Sequence, residues 1–429
     1  MWTRKSALVL AAGITAYLLS LMMNDTLLAG LGTALISYLI LVSFTRRSLE
    51  LLPIEELASE TGVLGVVSVE REISSDRIFE GGEIEVMLRI ESTGGMGLVE
   101  VWDHLPDRVR IKSGDNHAII NLSEGHNVIK YTLECPIMGP YSIGPLMLRK
   151  GDFSSMFFEE DRAEEYSDFI VLPRIEEISE AGIRSRTPKL FSGTATLKQP
   201  GPGYEFYALR EYRPGDSFRD INWKAYARSG ELLVNARERE AISDIMIMAD
   251  AREVTETGPL DSTMRIMNAR TAASLASYFI KGKNSVGLTI YGDGVHMMQP
   301  STGERHLDKI MSSLATMSAG GDTGLEAAVS VVAPHIPSRS PVIVVSSLEG
   351  DESIIEGIEA LQSRDFPVLV ISSSTLETEK ETGNLSAEDY EALNEHRKAL
   401  IEFLRHEGVM VVDRSPGESL QMALMEVMH

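Results

Sequence analysis

The sequence predicts a chain of three parts: a helical hairpin in a membrane, an antiparallel β-sandwich, and a doubly wound α/β domain. Three observations carry this reading. Two uncharged apolar runs stand close together near the start. Short β-prone runs broken by glycine follow them. From Ile245 onward, strand-length apolar runs alternate with helical patterns.

Composition bounds the rest. With 429 residues there is room for two or three domains. A net charge of −23 and a pI near 4.9 argue against nonspecific nucleic-acid binding, which needs a basic surface. The single cysteine, Cys135, excludes an intramolecular disulfide and a cysteine-rich zinc site, and fits a reducing compartment.

Residues 1–48 form the expected two-helix membrane hairpin. Ser6–Met23 is an uncharged run of 18 residues, about 27 Å as a helix. A second uncharged run, Thr26–Thr45, follows after Asn24 and Asp25. Each reaches across a hydrocarbon core of roughly 30 Å, so residues 6–45 would lie in the lipid bilayer. A cleaved signal is the competing reading of the first run. The second run so close behind, and the lack of a small-residue cleavage site before Asn24, favour the hairpin. Arg4 and Lys5 precede it, Arg46 and Arg47 follow it, and the connecting loop has no Lys or Arg. The positive-inside rule then places both termini in the cytoplasm of a two-helix, multi-pass protein of the cell membrane.

Residues 49–62 read as an acidic linker, and 63–160 as the sandwich. Its runs (Val63–Ile73, Glu83–Ile90, Leu98–His104 and Asn127–Leu133 among them) are separated by Gly81-Gly82, Gly94-Gly95, Gly125 and Gly139-Pro140. Phe79–Glu83 is similar to the loop that opens a strand pair in immunoglobulin-like modules. Trp102, His104, His117 and His126 fit no usual metal-ligand spacing. Residues 161–200 read as a connecting segment, low in large apolar residues after Pro173.

Residues 201–240 are a compositional island, aromatic-rich, with seven basic and seven acidic residues. Arg213-Pro214-Gly215-Asp216 reads as a turn, since Pro presets φ and Gly takes the positive φ that other residues resist. The flanking runs suit a partly buried segment whose charges are paired. Two readings stay open. One is an internal lock of Arg, Asp and Glu. The other is a docking surface, because Arg, Tyr and Trp are the residues that dominate interfaces. The lock reading expects Arg219 and Trp223 to be buried.

The residues Glu205, Arg210, Glu211, Tyr212, Pro214, Gly215, Asp216, Arg219, Trp223, Lys224 and Arg228, in this spacing with Phe206, Leu209, Ile221 and Ala227, resemble the signature of domain of unknown function 58. Asn222 stands where that family usually has Asp. The resemblance implies membrane anchoring, a von Willebrand factor type A-like domain, and a MoxR-type AAA+ ATPase as partner. It implies no established activity.

Residues 241–429 alternate strand and helix. Ile245–Asp250, Val286–Tyr291, Pro341–Ser347, Phe366–Ser372 and Val409–Val412 are the strands. Gly292-Asp293-Gly294 turns into an antiparallel edge at Val295–Gln299. Ser262–Lys281, Glu304–Met317, Leu325–His335, Ile354–Ser363 and Ser386–His406 are the helices, the last capped by Ser386 and Gly408. This order is the one expected of a von Willebrand factor type A-like domain. Such domains hold a divalent ion on an Asp-x-Ser-x-Ser loop, a Thr and a further Asp. Here Arg252 and Val254 take the two serine positions after Asp250, Thr323 is the available threonine, and Ser346-Ser347-Leu348 lacks the third-loop aspartate. The site reads as degenerate and metal-free, closed by an ion pair of Asp250 with Arg252 or with a signature arginine.

No nucleotide-binding glycine motif, His-Glu-x-x-His or Gly-x-Ser-x-Gly is present, so no cofactor and no catalytic residue is assigned. Ser346 and Ser347 end a strand where α/β ligand sites lie, and the sequence nominates no base for them. The leading function is a cytoplasm-facing scaffold or adaptor that works with the ATPase on assembly or maturation of a complex. A metal-dependent adhesion domain and an unrecognised membrane-associated hydrolase are the alternatives.

Overall fold

The computed structural model describes residues 4–45, 67–92, 98–121, 125–151, 158–178, 206–213, 216–237, 244–348, 353–414 and 417–428. The chain divides into two units, Met1–Leu172 and Pro173–His429. Arg46, Arg47, the 49–62 linker, Glu205, Pro214 and Gly215 lie outside the described residues.

In the first unit, helices Arg4–Met23 and Thr26–Thr45 pack on each other. Asn24 takes a left-handed φ of 53° at the turn, and the Asp25 carboxylate accepts the Leu27 N–H at 2.8 Å, capping the second helix. Small residues set the approach. A Cβ on Gly32 would sit 2.9 Å from the Gly13 carbonyl oxygen and 2.8 Å from the Tyr17 nitrogen, so only glycine admits this spacing. Leu8, Leu18, Leu21, Leu27 and Leu41 point outward, each more than half exposed. By length and composition Arg4–Met23 is apolar enough to cross a membrane, and the second helix is also apolar.

The strands that follow are β1 (Val67–Ile73), β2 (Arg77–Phe79), β3 (Gly82–Ser92), β4 (Leu98–Asp103), β5 (Arg110–Gly114), β6 (His117–Asn121), β7 (Gly125–Cys135), β8 (Gly139–Ile143), β9 (Leu146–Gly151), β10 (Phe158–Ala163) and β11 (Ser167–Leu172). They form sheets ordered β1-β3-β7-β5, β10-β9-β4-β6 and β2-β11-β8. The pairings are antiparallel except β2 with β11. Period-two alternation builds the core: Ile84, Val86, Leu88 and Ile90 of β3, with Leu133 and Cys135 of the neighbouring strand β7, join Val99 and Val101 of β4 in one buried cluster. Burial, then Glu134, pushes the Cys135 thiol up to about 11, so it packs as a small apolar group. The strands run on to Leu172, into the region expected to be connecting segment.

A buried polar cluster ties these sheets. The Arg71 guanidinium donates to both Asp103 oxygens at 3.1 and 2.6 Å and to the carbonyls of Ile143 and Glu165 at 3.2 and 2.9 Å. Tyr131 Oη donates to Asp103 at 2.5 Å, and burial with that carboxylate raises the phenol far above its ordinary range.

In the second unit, β12 (Phe206–Glu211) and β13 (Leu233–Arg237) pair antiparallel, with the short helix Trp223–Ser229 between them. Then come β14 (Asp244–Asp250), β15 (Ser285–Gly292), β16 (Gly294–Ser301), β17 (Val342–Val345), β18 (Val368–Ser373) and β19 (Met410–Arg414) in one sheet ordered β16-β15-β14-β17-β18-β19. All pairs are parallel except the edge hairpin β15–β16. Every residue of β17 and β18 is buried, which requires cover on both faces. Helices Leu325–Val332, Ser353–Gln362 and Ala387–His406 close one core around Met246, Met248, Val344 and Val370. Helix Met264–Lys281 packs on β14 and β15 outside that cluster. Ser386 caps Ala387–His406 by accepting the Asp389 N–H at 3.1 Å, and Gly408 takes φ +78° just past its end.

Candidate functional site

Asp250 ends β14 fully buried, and its carboxylate is saturated. It accepts Arg252 Nε at 3.0 Å, Arg252 Nη2 at 2.6 Å, the Arg252 backbone N–H at 3.1 Å and Ser346 Oγ at 2.8 Å. The guanidinium lies over the Tyr291 ring, 6.0 Å from its centre. The ion pair expected of Asp250 is therefore made with Arg252. The loops do converge here. Gly320 N–H donates to Ala251 O, Glu253 N–H to Gly321 O, and Thr323 N–H to Gly292 O, at 3.0 to 3.1 Å. Gly321 has φ +64° and its absent Cβ would fall 2.4 Å from Gly292 O, so the close approach needs glycine. Thr323 joins this edge through its backbone, not through a bond to Asp250.

Two neighbours of this edge have no counterpart in the sequence reading. Asn268 Nδ2 donates to the Asp250 carbonyl at 3.1 Å, while its Oδ1 is buried without a partner among the described residues. Arg397, on the helix Ala387–His406, bonds the Ser347 carbonyl, Ser372 Oγ and Asp413, tying the ends of β17, β18 and β19. Arg397 is a polar residue on a face that otherwise buries Leu400, Ile401 and Leu404, whereas Asn268 lies on a face that also buries Thr271, Ser274 and Ser277 and so gives no such signal.

The signature segment differs from the buried lock that the sequence suggests. One lock is present: Arg210 donates to both oxygens of Asp216 at 2.7 and 2.6 Å, and the Arg213 N–H adds a third bond at 2.8 Å. The Arg210 bonds first, and then that backbone donor, hold the Asp216 carboxyl at about 2. But Trp223 is 60% exposed and Phe218 73%, and Arg219 is exposed too. Leu209, Tyr226 and Leu232 are also among the exposed large apolar side chains. The reason is architectural. A two-stranded sheet with one short helix encloses little, and among the described residues Ile221 and Val234 are the buried apolar ones. Glu211, Arg213, Lys224 and Arg228 are exposed, and Tyr212 stacks on Phe218 at 6.1 Å.

Asn222 has a defined task. Its Oδ1 caps the helix by accepting the Ala225 N–H at 3.0 Å, and its Nδ2 donates to Asn235 Oδ1 at 3.0 Å. An Asp could cap but could not donate the second bond, and would need Asn235 to turn its amide and donate instead. The helix closes on Gly230 at φ +74°. His117 bonds Glu100 at 2.9 Å and His126 bonds Glu91 at 2.8 Å, on different sheets of the first unit.

Comparison with known proteins agrees with the signature. An uncharacterised protein of Mycobacterium bovis, Mb1516, is 24% identical over 169 residues, covering 38% of this chain and 53% of the relative. Rv1480 of Mycobacterium tuberculosis, also uncharacterised, matches to the same extent. The chain thus spans about half the length of the curated relatives it matches. Among solved structures, proximal thread matrix protein 1 of the mussel byssus is 13% identical with a TM-score of 0.26, over 43% of each chain. The cupredoxin domain of amoB from Nitrosocaldus yellowstonii is 16% identical with a TM-score of 0.19, over 24% of this chain and 86% of the other. Scores of this size carry no argument about fold or function. The profile of the family described as "Protein of unknown function DUF58" matches residues 208–383, which run from the first signature strand to the glycine that caps the helix Leu376–Thr382.

Proposed function

We propose that the chain is a membrane-tethered, cytoplasm-facing adaptor whose signature segment is the docking surface for a partner protein. The observation that carries this is the exposed group Leu209, Phe218, Trp223, Tyr226 and Leu232, interleaved with exposed Arg213, Arg219, Lys224 and Arg228. Large aromatic and arginine side chains left in water on a backbone locked by Arg210–Asp216 are what an interface hot spot requires. A MoxR-type AAA+ ATPase is the partner the family resemblance names. The sandwich is read as immunoglobulin-like, and the α/β region as von Willebrand factor type A-like, with an aspartate ending its first strand. Saturation of Asp250 by Arg252 and Ser346 argues against metal-dependent adhesion.

Crosslinking in native membranes, followed by mass spectrometry, tests the proposal. Phe218→Ala and Trp223→Ala should express and melt like the parent, within about 0.5 kcal/mol, since neither side chain is in a core. Each should weaken partner capture by tenfold or more, roughly 2 kcal/mol for a hot-spot aromatic. Loss of folded protein in both variants, or capture that is unchanged, overturns the docking role.

A further inference from the structure

At the carboxyl ends of β18 and β19 the second unit holds a cleft of about 430 Å³, away from the Asp250 carboxylate and the signature segment. Its position is where open α/β sheets receive ligands, and its size is that of a small-molecule site. Arg174, Arg270 and Arg414 line it, against Glu176 and Glu418. An excess of arginine over glutamate is notable in a chain of net charge −23.

The centre of the cleft already holds an anionic group of the chain itself. The Glu176 carboxylate accepts Arg414 Nη2 at 2.7 Å and the Leu420 N–H at 2.9 Å, the latter at the start of the helix Leu420–Met428. Arg414 is only 8% exposed and is aimed by bonds from Nε to Glu418 O and from Nη1 to Thr271 Oγ1, at 2.7 and 3.5 Å. A buried guanidinium and a helix amide on one carboxylate make a prebuilt anion seat. Thr375, also on the wall, is 2% exposed and its Oγ1 has no hydrogen-bond partner among the described residues. That oxygen is closed to water and is no ligand contact; the hydroxyl residues lining the cleft besides it are Ser262, Ser374, Thr378 and Ser419.

We infer that this cleft binds the phosphate group of a phosphorylated ligand, with Glu176 as the internal competitor for Arg414. Phosphate suits the donors: guanidinium forks, hydroxyls and a helix-start amide each give hydrogen bonds to its oxygens. The source is a soluble phosphate ester or a phospholipid headgroup.

The test uses the full chain in detergent, titrated calorimetrically with pyrophosphate at constant ionic strength. One saturable site per chain is expected. Glu176→Gln removes the competitor and should tighten binding about tenfold, the worth of one charge-assisted hydrogen bond. A gain of affinity cannot come from misfolding. Arg270→Gln should weaken binding by a similar factor while the melting temperature in the absence of pyrophosphate holds. Absence of saturable binding in both parent and Glu176→Gln overturns the inference, and so does affinity that neither substitution changes. Repeating the titration in vesicles of phosphatidylcholine, with and without phosphatidate, separates the sources: phosphatidate that competes with pyrophosphate marks a headgroup, and an unchanged titration marks a soluble ester.

Discussion

Asp250 shows what one substitution at a loop does to a site. With Arg252 two residues on, the carboxylate has a covalently tethered counter-ion at 2.6 Å, and Ser346 takes up the remaining lone-pair direction. Arg252→Ala leaves that carboxylate buried and unpaired, and should lower stability by about 3–5 kcal/mol in denaturant melts. The double variant Asp250→Asn, Arg252→Ala should lose less than Arg252→Ala alone, because no uncompensated charge remains. Calorimetric titration of the parent with Mg²⁺ should show no saturable ion, and one-to-one binding lost in Asp250→Ala would contradict the ion-pair account. Much of this was legible: Asp250 and Arg252 are two residues apart in sequence and opposite in charge. The Ser346 bond was not, because it joins residues 96 positions apart and depends on β14 and β17 being neighbours.

At the scale of the element, strands with a continuous apolar run were readable and the signature was only half so. Val342–Val345 and Val368–Ser373 have one pattern and one physical solution, burial on both faces. The helix Trp223–Ser229 has seven residues of mixed aromatic and charged type, too short for a periodic stripe, and its cap was visible only as a departure from a family pattern. Treating Trp223 as core went wrong because residue type predicts burial only where there is an interior to enter. The Arg210–Asp216 lock makes a pH prediction for this element. Asp216 titrates at about 2 in the fold, below the ordinary carboxylate value near 4 of the unfolded chain. Its contribution is therefore complete above that unfolded value and is lost as pH falls through about 2. Exchange of the Arg213 amide, corrected for its intrinsic pH dependence, should accelerate over this window in the parent. In Asp216→Ala the amide should already exchange fast at neutral pH, and equal protection in the two proteins would refute the lock.

At the scale of the whole molecule, sequence and structure speak to different parts of the membrane question. The uncharged runs and the Gly13–Gly32 approach describe a helical hairpin, while orientation rests on the charges at its two ends. A reporter fused after His429 should be active only in the cytoplasm, and one inserted at Asn24 only outside it. The reverse pattern would turn the proposed adaptor away from any cytoplasmic ATPase. The sheet order of the first unit was not legible beyond its strands, since β2 pairs with β11 in parallel across most of the segment. The cluster that ties those sheets has a mechanical consequence. Apolar packing has no preferred bond direction, so it fixes the register of two sheets only through the fit of their side chains. Arg71 on β1, Asp103 at the end of β4 and Tyr131 on β7 instead meet at fixed angles, like a rivet through two plates. A pull along the strands must break these desolvated charge-assisted bonds before the plates can slip.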